Sequence, residues 1–325
     1  MRARMAATVI QRIYKIAIML SGALFRSHAA MGPAVGGFRR GFGNQSTLNP
    51  ERLMTETIIE RNRSSFDFWD ELWRFRELFL FLAWRDLLVR YKQTTLGLAW
   101  CLITPLLSMV ILTVVFGRLA GLPAGDLPYP VLVFAAVLPW QFFSTTLTSS
   151  SNSLISNRAM VSKIYFPRII IPSTSMVVSL VDFTVSLGIL AGLMAWFDVQ
   201  PSWRLLVLIP LIGLTALTSL GAGYWISALN VKYRDFRHIV PFIVQFGLYI
   251  SPVGFSSSVV PEKWRLLYSI NPMVGVIDGF RWAITPGGAE FYWPGFVCSV
   301  VLAILLFWGG VSFFLKSESK FADVI

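Results

Sequence analysis

Between residues 98 and 315 long apolar stretches alternate with short polar loops, and the charges fall almost wholly in the loops. A helix rises about 1.5 Å per residue and the hydrocarbon core is about 30 Å thick, so about 20 mostly apolar residues make a membrane span. The pattern predicts spans at 98–119, 131–151, 171–196, 205–229, 240–259 and 297–315. The fifth holds Pro241, Gly247, Pro252 and Gly254, with Gln245 near its middle. These residues predict a bent or partly re-entrant helix, whose freed backbone groups need protein or a water-filled cavity.

Upstream, Phe66–Lys92 reads as an amphipathic helix or two in series. Asp67 can cap its start, Phe68, Leu72, Phe75, Phe79 and Leu82 line an apolar face, and Asp70/Arg74 and Asp86/Arg90 are charge pairs at i,i+4. With Trp69, Trp73, Phe81 and Trp84 on its broad apolar side and Arg on the other, it either lies in the membrane interface or packs on the bundle as a collar around the first span. Between spans five and six, Val260–Pro294 reads as two short helices, Pro261–Ile270 and Met273–Ile284. Asn271 caps the second, Pro272 takes its first helical position, and Asp278 and Arg281 stand at i,i+3, where they can pair. The segment either dips into the outer leaflet and closes a pore or lies at the interface, anchored by Trp264, Trp282 and Trp293. The expected fold is all-α: a polytopic membrane protein with six transmembrane helices, an N-terminal amphipathic interface helix and short re-entrant helices between spans five and six. Four regions follow: a basic extension (1–50), a cytoplasmic interface segment (51–96), the six-helix domain (97–315) and a cytoplasmic tail (316–325).

Composition agrees, with 55% hydrophobic residues and a mean hydropathy of +0.64. A net charge of +11 suggests nucleic acid at first sight, but 15 of the 28 Lys and Arg residues precede residue 93, so no nucleic-acid partner is expected. Loop charge sets the orientation. Asn152–Ile170 carries Arg158, Lys163 and Arg168, and Asn230–Ile239 carries Lys232, Arg234 and Arg237, whereas Ala120–Pro130 has none and Phe197–Arg204 one. Short cytoplasmic loops collect Lys and Arg, so both termini are expected in the cytoplasm. Residues 1–50 carry no acidic residue and one short apolar run, Ile16–Phe25, between basic flanks. A cleaved signal is one reading; a disordered or mis-assigned extension, with Met54 as an alternative start, fits better, because Arg12 and Lys15 shorten the apolar core. Cys101 and Cys298 fall near opposite faces of the membrane, so no disulfide is expected.

The chain has no G-x-x-x-x-G-K-[ST] phosphate loop, no H-E-x-x-H and only two histidines, His28 and His238. No catalytic residue, metal site or cofactor is expected in it, and energy from ATP would have to come from another subunit. Asp182 alone lies clearly at mid-membrane depth, where a carboxylate costs about 2.5 to 3.5 kcal/mol on the insertion scale. It is expected to face the bundle interior or be protonated, bonding a neighbouring helix or serving a polar path. Gly188 and Gly192 form a G-x-x-x-G that allows close helix approach. Trp140, Gln141, Phe142 and Phe143, with Phe246, Tyr249 and Phe255, are either lipid-facing or channel-lining, and flat aromatic faces suit sugar rings.

Four stretches, in order and on the expected faces, carry a family resemblance. They are Trp84-Arg85-Asp86-Leu87-Leu88-Val89-Arg90-Tyr91-Lys92-Gln93-Thr94 with Leu96-Gly97, Trp100 and Pro105-Leu106; Asn157-Arg158 through Lys163-Ile164-Tyr165-Phe166-Pro167-Arg168; Ala228-Leu229-Asn230-Val231-Lys232-Tyr233-Arg234-Asp235; and Asn271-Pro272-Met273 with Gly279-Phe280-Arg281-Trp282. From about Phe66 to Lys316 the chain resembles the permease subunits of ABC transporters that export polysaccharides such as O-antigen, capsule or teichoic acid. The resemblance implies a six-span subunit of the bacterial inner membrane, paired with a second copy around a channel and driven by two ATP-binding subunits that hold ATP and Mg. Arg85, Asp86, Arg90, Tyr91, Lys92, Gln93 and Gly97 would form the cytoplasmic collar that admits a lipid-linked glycan, its basic groups meeting the pyrophosphate. Asn157, Arg158, Lys163, Tyr165, Phe166, Pro167 and Arg168 would couple to the ATPase, with Tyr165-Phe166 as a knob. Trp140, Phe142, Phe143, Asp182, Phe246 and Tyr249 would be channel candidates, and Asn271, Pro272, Asp278, Arg281 and Trp282 the outer gate. Residues 1–50 have no counterpart in the family pattern. The competing readings are an ABC permease for a lipid or drug, a membrane-embedded glycan-processing enzyme and an ion-coupled transporter. The enzyme lacks an acidic or metal-binding cluster, and the ion-coupled transporter has one intramembrane acid to work with.

Overall fold

The computed structural model describes residues 73–92, 97–123, 125, 127–163, 165–233, 235–285 and 291–324. Their helices are α1 (Arg76–Lys92), α2 (Gly97–Leu112, running on as π-helical turns Thr113–Leu119), α3 (Tyr129–Ser156), the single turn α4 (Arg158–Val161) and α5 (Ile170–Trp196). A 3-10 turn (Trp203–Val207) leads into α6 (Leu208–Lys232), followed by α7 (Phe236–Ile250), α8 (Glu262–Tyr268), α9 (Pro272–Ile284) and α10 (Trp293–Val324). Five helical segments are long and apolar enough to cross a membrane: Ala99–Leu119, Tyr129–Ser156, Ile170–Trp196, Trp203–Lys232 and Trp293–Glu318.

The fifth expected span differs. The apolar run 240–259 is split where Ser251 turns extended (φ −78°, ψ 152°) in front of Pro252, whose ring disfavours a helical residue before it. What remains is α7, 15 residues and about 22 Å long, short of the hydrocarbon thickness. Pro241 and Gly247 sit inside it or at its end without stopping it.

Helix α3 is the hub. Within its most apolar window 78% of residues are buried, against 11% for α2 and 22% for α10, and α5, α6, α9, α2 and α7 all pack on it. Its polar second half stays helical because hydroxyls bond back to carbonyls three or four residues earlier: Thr145 to Gln141 at 2.7 Å, Thr148 to Ser144 at 2.7 Å and Ser153 to Ser150 at 2.7 Å. Helices α6 and α10 approach most closely at Gly221 and Gly310. A Cβ at Gly221 would lie 2.7 Å from the Phe307 backbone, and one at Gly310 would lie 2.4 Å from the Gly221 carbonyl oxygen. The G-x-x-x-G at Gly188 and Gly192 does not serve this purpose, since a Cβ at either meets nothing within 4 Å.

Two apolar clusters hold the bundle. The larger is built on Phe134, Phe142, Phe183 and Phe280; the smaller, at the end carrying the loop 157–169, joins Leu82 of α1, Leu154, Val161, Phe166, Tyr224, Phe314 and Phe321. The last helix therefore continues past residue 315, with Phe321 packed edge-on against Phe314 at 5.3 Å. Helix α1 is not apolar on one side only. Leu82 and Ala83 are buried against the bundle, while Phe81 (65% exposed) and Trp84 (49%) point away. The proposed Asp67 cap and Asp70/Arg74 pair depend on residues outside those described.

Candidate functional site

At the loop-157 end, α1 is tied to the bundle by charge. Arg85 pairs with its neighbour Asp86 (2.8 Å) and donates to the Asn157 side chain (2.8 Å), while Asp86 accepts from the Thr174 hydroxyl (3.1 Å). One network thus links α1, the end of α3 and α5. The expected Asp86/Arg90 pair does not form, because Arg90 reaches Asp182 at 2.5 Å instead. Asp182 also accepts from the Tyr91 hydroxyl and from the Cys101 thiol (3.1 Å). Its carboxylate, 14% exposed, is thereby supplied with a cation and two donors about 18 Å along α5 from Ile170. Burial and the Asp182 carboxylate push the Tyr91 phenol above its ordinary range, so it stays a donor. The cluster borders a cavity of about 240 Å³ whose other walls include Gln141, Thr145, Ser179 and Ser186. Both cysteines are free thiols, and Cys101 makes a polar contact with Asp182. Lys92 closes α1, Gly97 opens α2, and Gln93 lies outside the described residues.

The loop after α3 is divided by burial. Arg158, Lys163 and Tyr165 are exposed, Tyr165 by 61%, whereas Phe166 (4%) and Pro167 are buried. Of the expected two-residue knob only Tyr165 is exposed, because Phe166 fills the smaller apolar cluster. Arg168 is half-buried: its main-chain N–H donates to the Glu318 carboxylate (2.8 Å) and its guanidinium to the Glu318 carbonyl (2.8 Å), fastening the loop to α10. Beside it Ser173 and Tyr224 share a hydrogen bond of 2.7 Å between α5 and α6.

The aromatic candidates separate into two sets. Trp140 (6% exposed), Phe142 (2%) and Phe143 (9%) are core residues, with Phe142 against Phe183 at 5.4 Å and Trp140 wedged over Gly247. Phe142 also borders the cavity of about 240 Å³ beside Asp182. Phe246 (48%) and Tyr249 (58%) lie exposed on α7, beside Phe242, which packs on Phe246 at 4.1 Å.

At the opposite end, Asn271 caps α9 by accepting from the Met273 N–H (3.0 Å), with Pro272 at the first helical position as expected. Arg281 does not pair with Asp278. Its guanidinium donates to the carbonyls of Leu132 (3.2 Å), Val253 (3.0 Å) and Phe255 (2.7 Å), binding α9 to α3 and to the turn after α7. Burial lowers the Arg281 pKa to about 10, which leaves it charged at neutral pH. Burial also raises the Asp278 carboxyl above its usual range, opposed by Arg281, a hydrogen bond from Ser257 and Arg265. Trp282 carries the Arg204 guanidinium over its ring at 5.0 Å. Asp278, Arg281 and Trp282 share a cavity of about 440 Å³ with Arg265, Tyr268 and Tyr292.

Sequence reasoning missed Thr174, Glu318 and the Arg85–Asn157 bond. Each joins residues 72 to 150 positions apart, and no local spacing signals such a pair.

A sequence profile described as ABC-2 type transporter matches residues 77–285, well over half of the chain. Over 259 residues the chain is 28% identical to the O-antigen export system permease protein RfbA of Myxococcus xanthus, covering 78% of this chain and 98% of that protein. A protein of the same description from Klebsiella pneumoniae is 26% identical over 256 residues, covering 77% and 95%. The polysialic acid transport protein KpsM of Escherichia coli is 23% identical over 211 residues, covering 62% and 79%.

Proposed function

The chain belongs to the ABC-2 type transporter family, and from that premise we propose that it is the membrane permease subunit of an exporter that carries a lipid-linked polysaccharide across a bacterial inner membrane. The observation that carries this reading is the likeness to an O-antigen export permease over 98% of that protein's length. As a permease subunit it is a multi-pass membrane protein that works with ATP-binding subunits, and ATP and Mg would be bound there.

On this reading the short helix α7 completes a set of six membrane segments, α1 lies at the cytoplasmic interface, both termini are cytoplasmic, and α8 and α9 form the re-entrant outer gate. Two copies would face each other across a channel. The exposed aromatic face of α7, with Phe246 and Tyr249, supports a place for that helix at the channel wall. Arg158, Lys163 and Tyr165, exposed on the loop after α3, would be pressed by the ATP-binding subunit. The pressure would pass through the Arg85–Asn157 bond into α1 and through Arg168–Glu318 into α10. Arg85, Arg90 and Lys92 would meet the glycan's pyrophosphate at the collar.

The test is the double reversal Arg158→Glu with Lys163→Glu in the complex with its ATP-binding subunits. Both side chains are exposed, so membrane insertion and thermal stability should not change. ATP hydrolysis should continue while export of lipid-linked polymer into vesicles falls at least tenfold. Export at the parental rate would remove the coupling role of this loop.

A further inference from the structure

The cavity at the end of the bundle away from loop 157–169 has a wall of unusual chemistry for a membrane protein. It is lined by Pro123 and Leu127, by Ser256–Ser258 and Tyr268, by residues of α9 and by Phe291 with Tyr292. Its volume of about 440 Å³ lies in the range of small-molecule sites, roughly 300 to 1,000 Å³.

Apart from Asp278 and Arg281, helix α9 is apolar and buried almost throughout, so an acid at position 278 is a cost to the fold unless something uses it. Its natural partner three residues on, Arg281, is drawn away to the three carbonyls of Leu132, Val253 and Phe255. Arg265 likewise donates to the carbonyls of Val260 (3.1 Å) and Ser258 (3.2 Å). Both guanidinium groups therefore hold the walls while their charge still acts on Asp278. The Asp278 carboxyl lines the cavity beside Ser257, with acceptor capacity to spare. Around it stand the rings of Tyr268, Trp282, Phe291 and Tyr292 and the hydroxyls of Ser256 and Ser258. The rings are fixed in advance: the Tyr268 hydroxyl donates to the Ile250 carbonyl (2.7 Å), and Trp282 packs on Phe291 at 5.6 Å.

We propose that this cavity is a saccharide subsite, in which Asp278 accepts hydrogen bonds from hydroxyls of one neutral pyranose unit while Trp282 and the neighbouring rings cover its apolar C–H faces. A carboxylate, small hydroxyls and aromatic walls match a sugar ring, which is apolar on its faces and polar round its edge. An anionic phosphate headgroup would meet the Asp278 carboxylate on the same wall, and the experiment below separates it from a sugar. This assignment rests on the export reading above and places the subsite where the polymer would leave the bundle.

The probe is the mixture of methyl glycosides released by methanolysis of the host's own surface polymer, offered to the permease–ATPase complex in lipid nanodiscs and followed by saturation-transfer NMR. At least one neutral glycoside should receive saturation from the wild-type complex. Asp278→Ala should weaken it about tenfold, and Asp278→Asn, which keeps the shape and one acceptor, should weaken it less. Glycerol 3-phosphate should show no transfer that depends on Asp278. The subsite is overturned if no glycoside binds, if binding is equal in wild type and both variants at matched thermal stability, or if glycerol 3-phosphate binds instead. Surface polymer measured in the same strains separates the two claims. Wild-type export without glycoside binding removes the subsite and leaves the transporter, whereas wild-type protein that delivers no polymer removes both.

Discussion

Breaking the Arg90–Asp182 pair should expose how far α1 depends on a charge held inside the bundle. Removing one partner of a fully buried pair costs about 3 to 5 kcal/mol, while an exposed pair is worth about 0 to 1 kcal/mol. Here Asp182 is 14% exposed and Arg90 37%, so Asp182→Leu, which takes the carboxylate from Arg90, Tyr91 and Cys101 at once, should cost about 2 kcal/mol. Arg90→Met should cost less, about 1 kcal/mol, because Tyr91 and Cys101 still donate to the carboxylate. The double variant removes both charges together and should be no less stable than Asp182→Leu, giving a coupling energy of about 1 kcal/mol. The assay is a double-mutant cycle on unfolding in dodecyl maltoside micelles with rising dodecyl sulfate. Costs that simply add, to within about 0.3 kcal/mol, would refute the pairing as a source of stability. Asp182→Asn adds a functional check: export per folded molecule should persist, whereas a proton- or ion-relay role for Asp182 would abolish export with assembly intact.

Three further outcomes follow from the packing. Phe166→Ala empties a site 4% exposed in the smaller cluster and should cost about 3 to 5 kcal/mol in the same unfolding assay. Tyr165→Ala, at an exposed position, should leave stability within about 0.5 kcal/mol and instead uncouple ATP hydrolysis from export. If the two effects were exchanged, the inward and outward orientations of these neighbours would be wrong. Gly221→Ala drives a methyl group into the Phe307 backbone and should cost about 1 to 3 kcal/mol, while Gly188→Ala, with open space around its Cβ, should be neutral or slightly stabilising. Asn271→Ala removes the cap of α9 and should lower stability by about 1 kcal/mol, a loss largely recovered by Asp at the same position.

The parts of the fold that rest on local pattern were legible in the sequence. Five of the spans follow from length and hydropathy, and the Asn271–Pro272 start of α9 follows from capping chemistry. The fifth apolar run misled because hydropathy does not see that Pro252 forces Ser251 extended, which splits the run into α7 and a turn. The failures at the candidate site share another cause. Asp86/Arg90 and Asp278/Arg281 have the spacing of helix-surface pairs, but both arginines find stronger uses across the bundle, Arg90 on Asp182 and Arg281 on three carbonyls. Phe166 looks like its exposed neighbour Tyr165 in sequence, and only the packing of α10 around it shows that it is core.

The central claim is export of a lipid-linked polysaccharide, and the measurement that tests it most directly is the location of that polymer in a deletion strain. Polymer is assayed at the cell surface and in the cytoplasmic lipid fraction, with and without a plasmid copy of this chain. Lipid-linked polymer accumulating inside a bare cell, and returning to the surface with the plasmid, is the predicted result. Surface polymer unchanged by the deletion would contradict the account and leave a lipid or drug as the cargo to be sought.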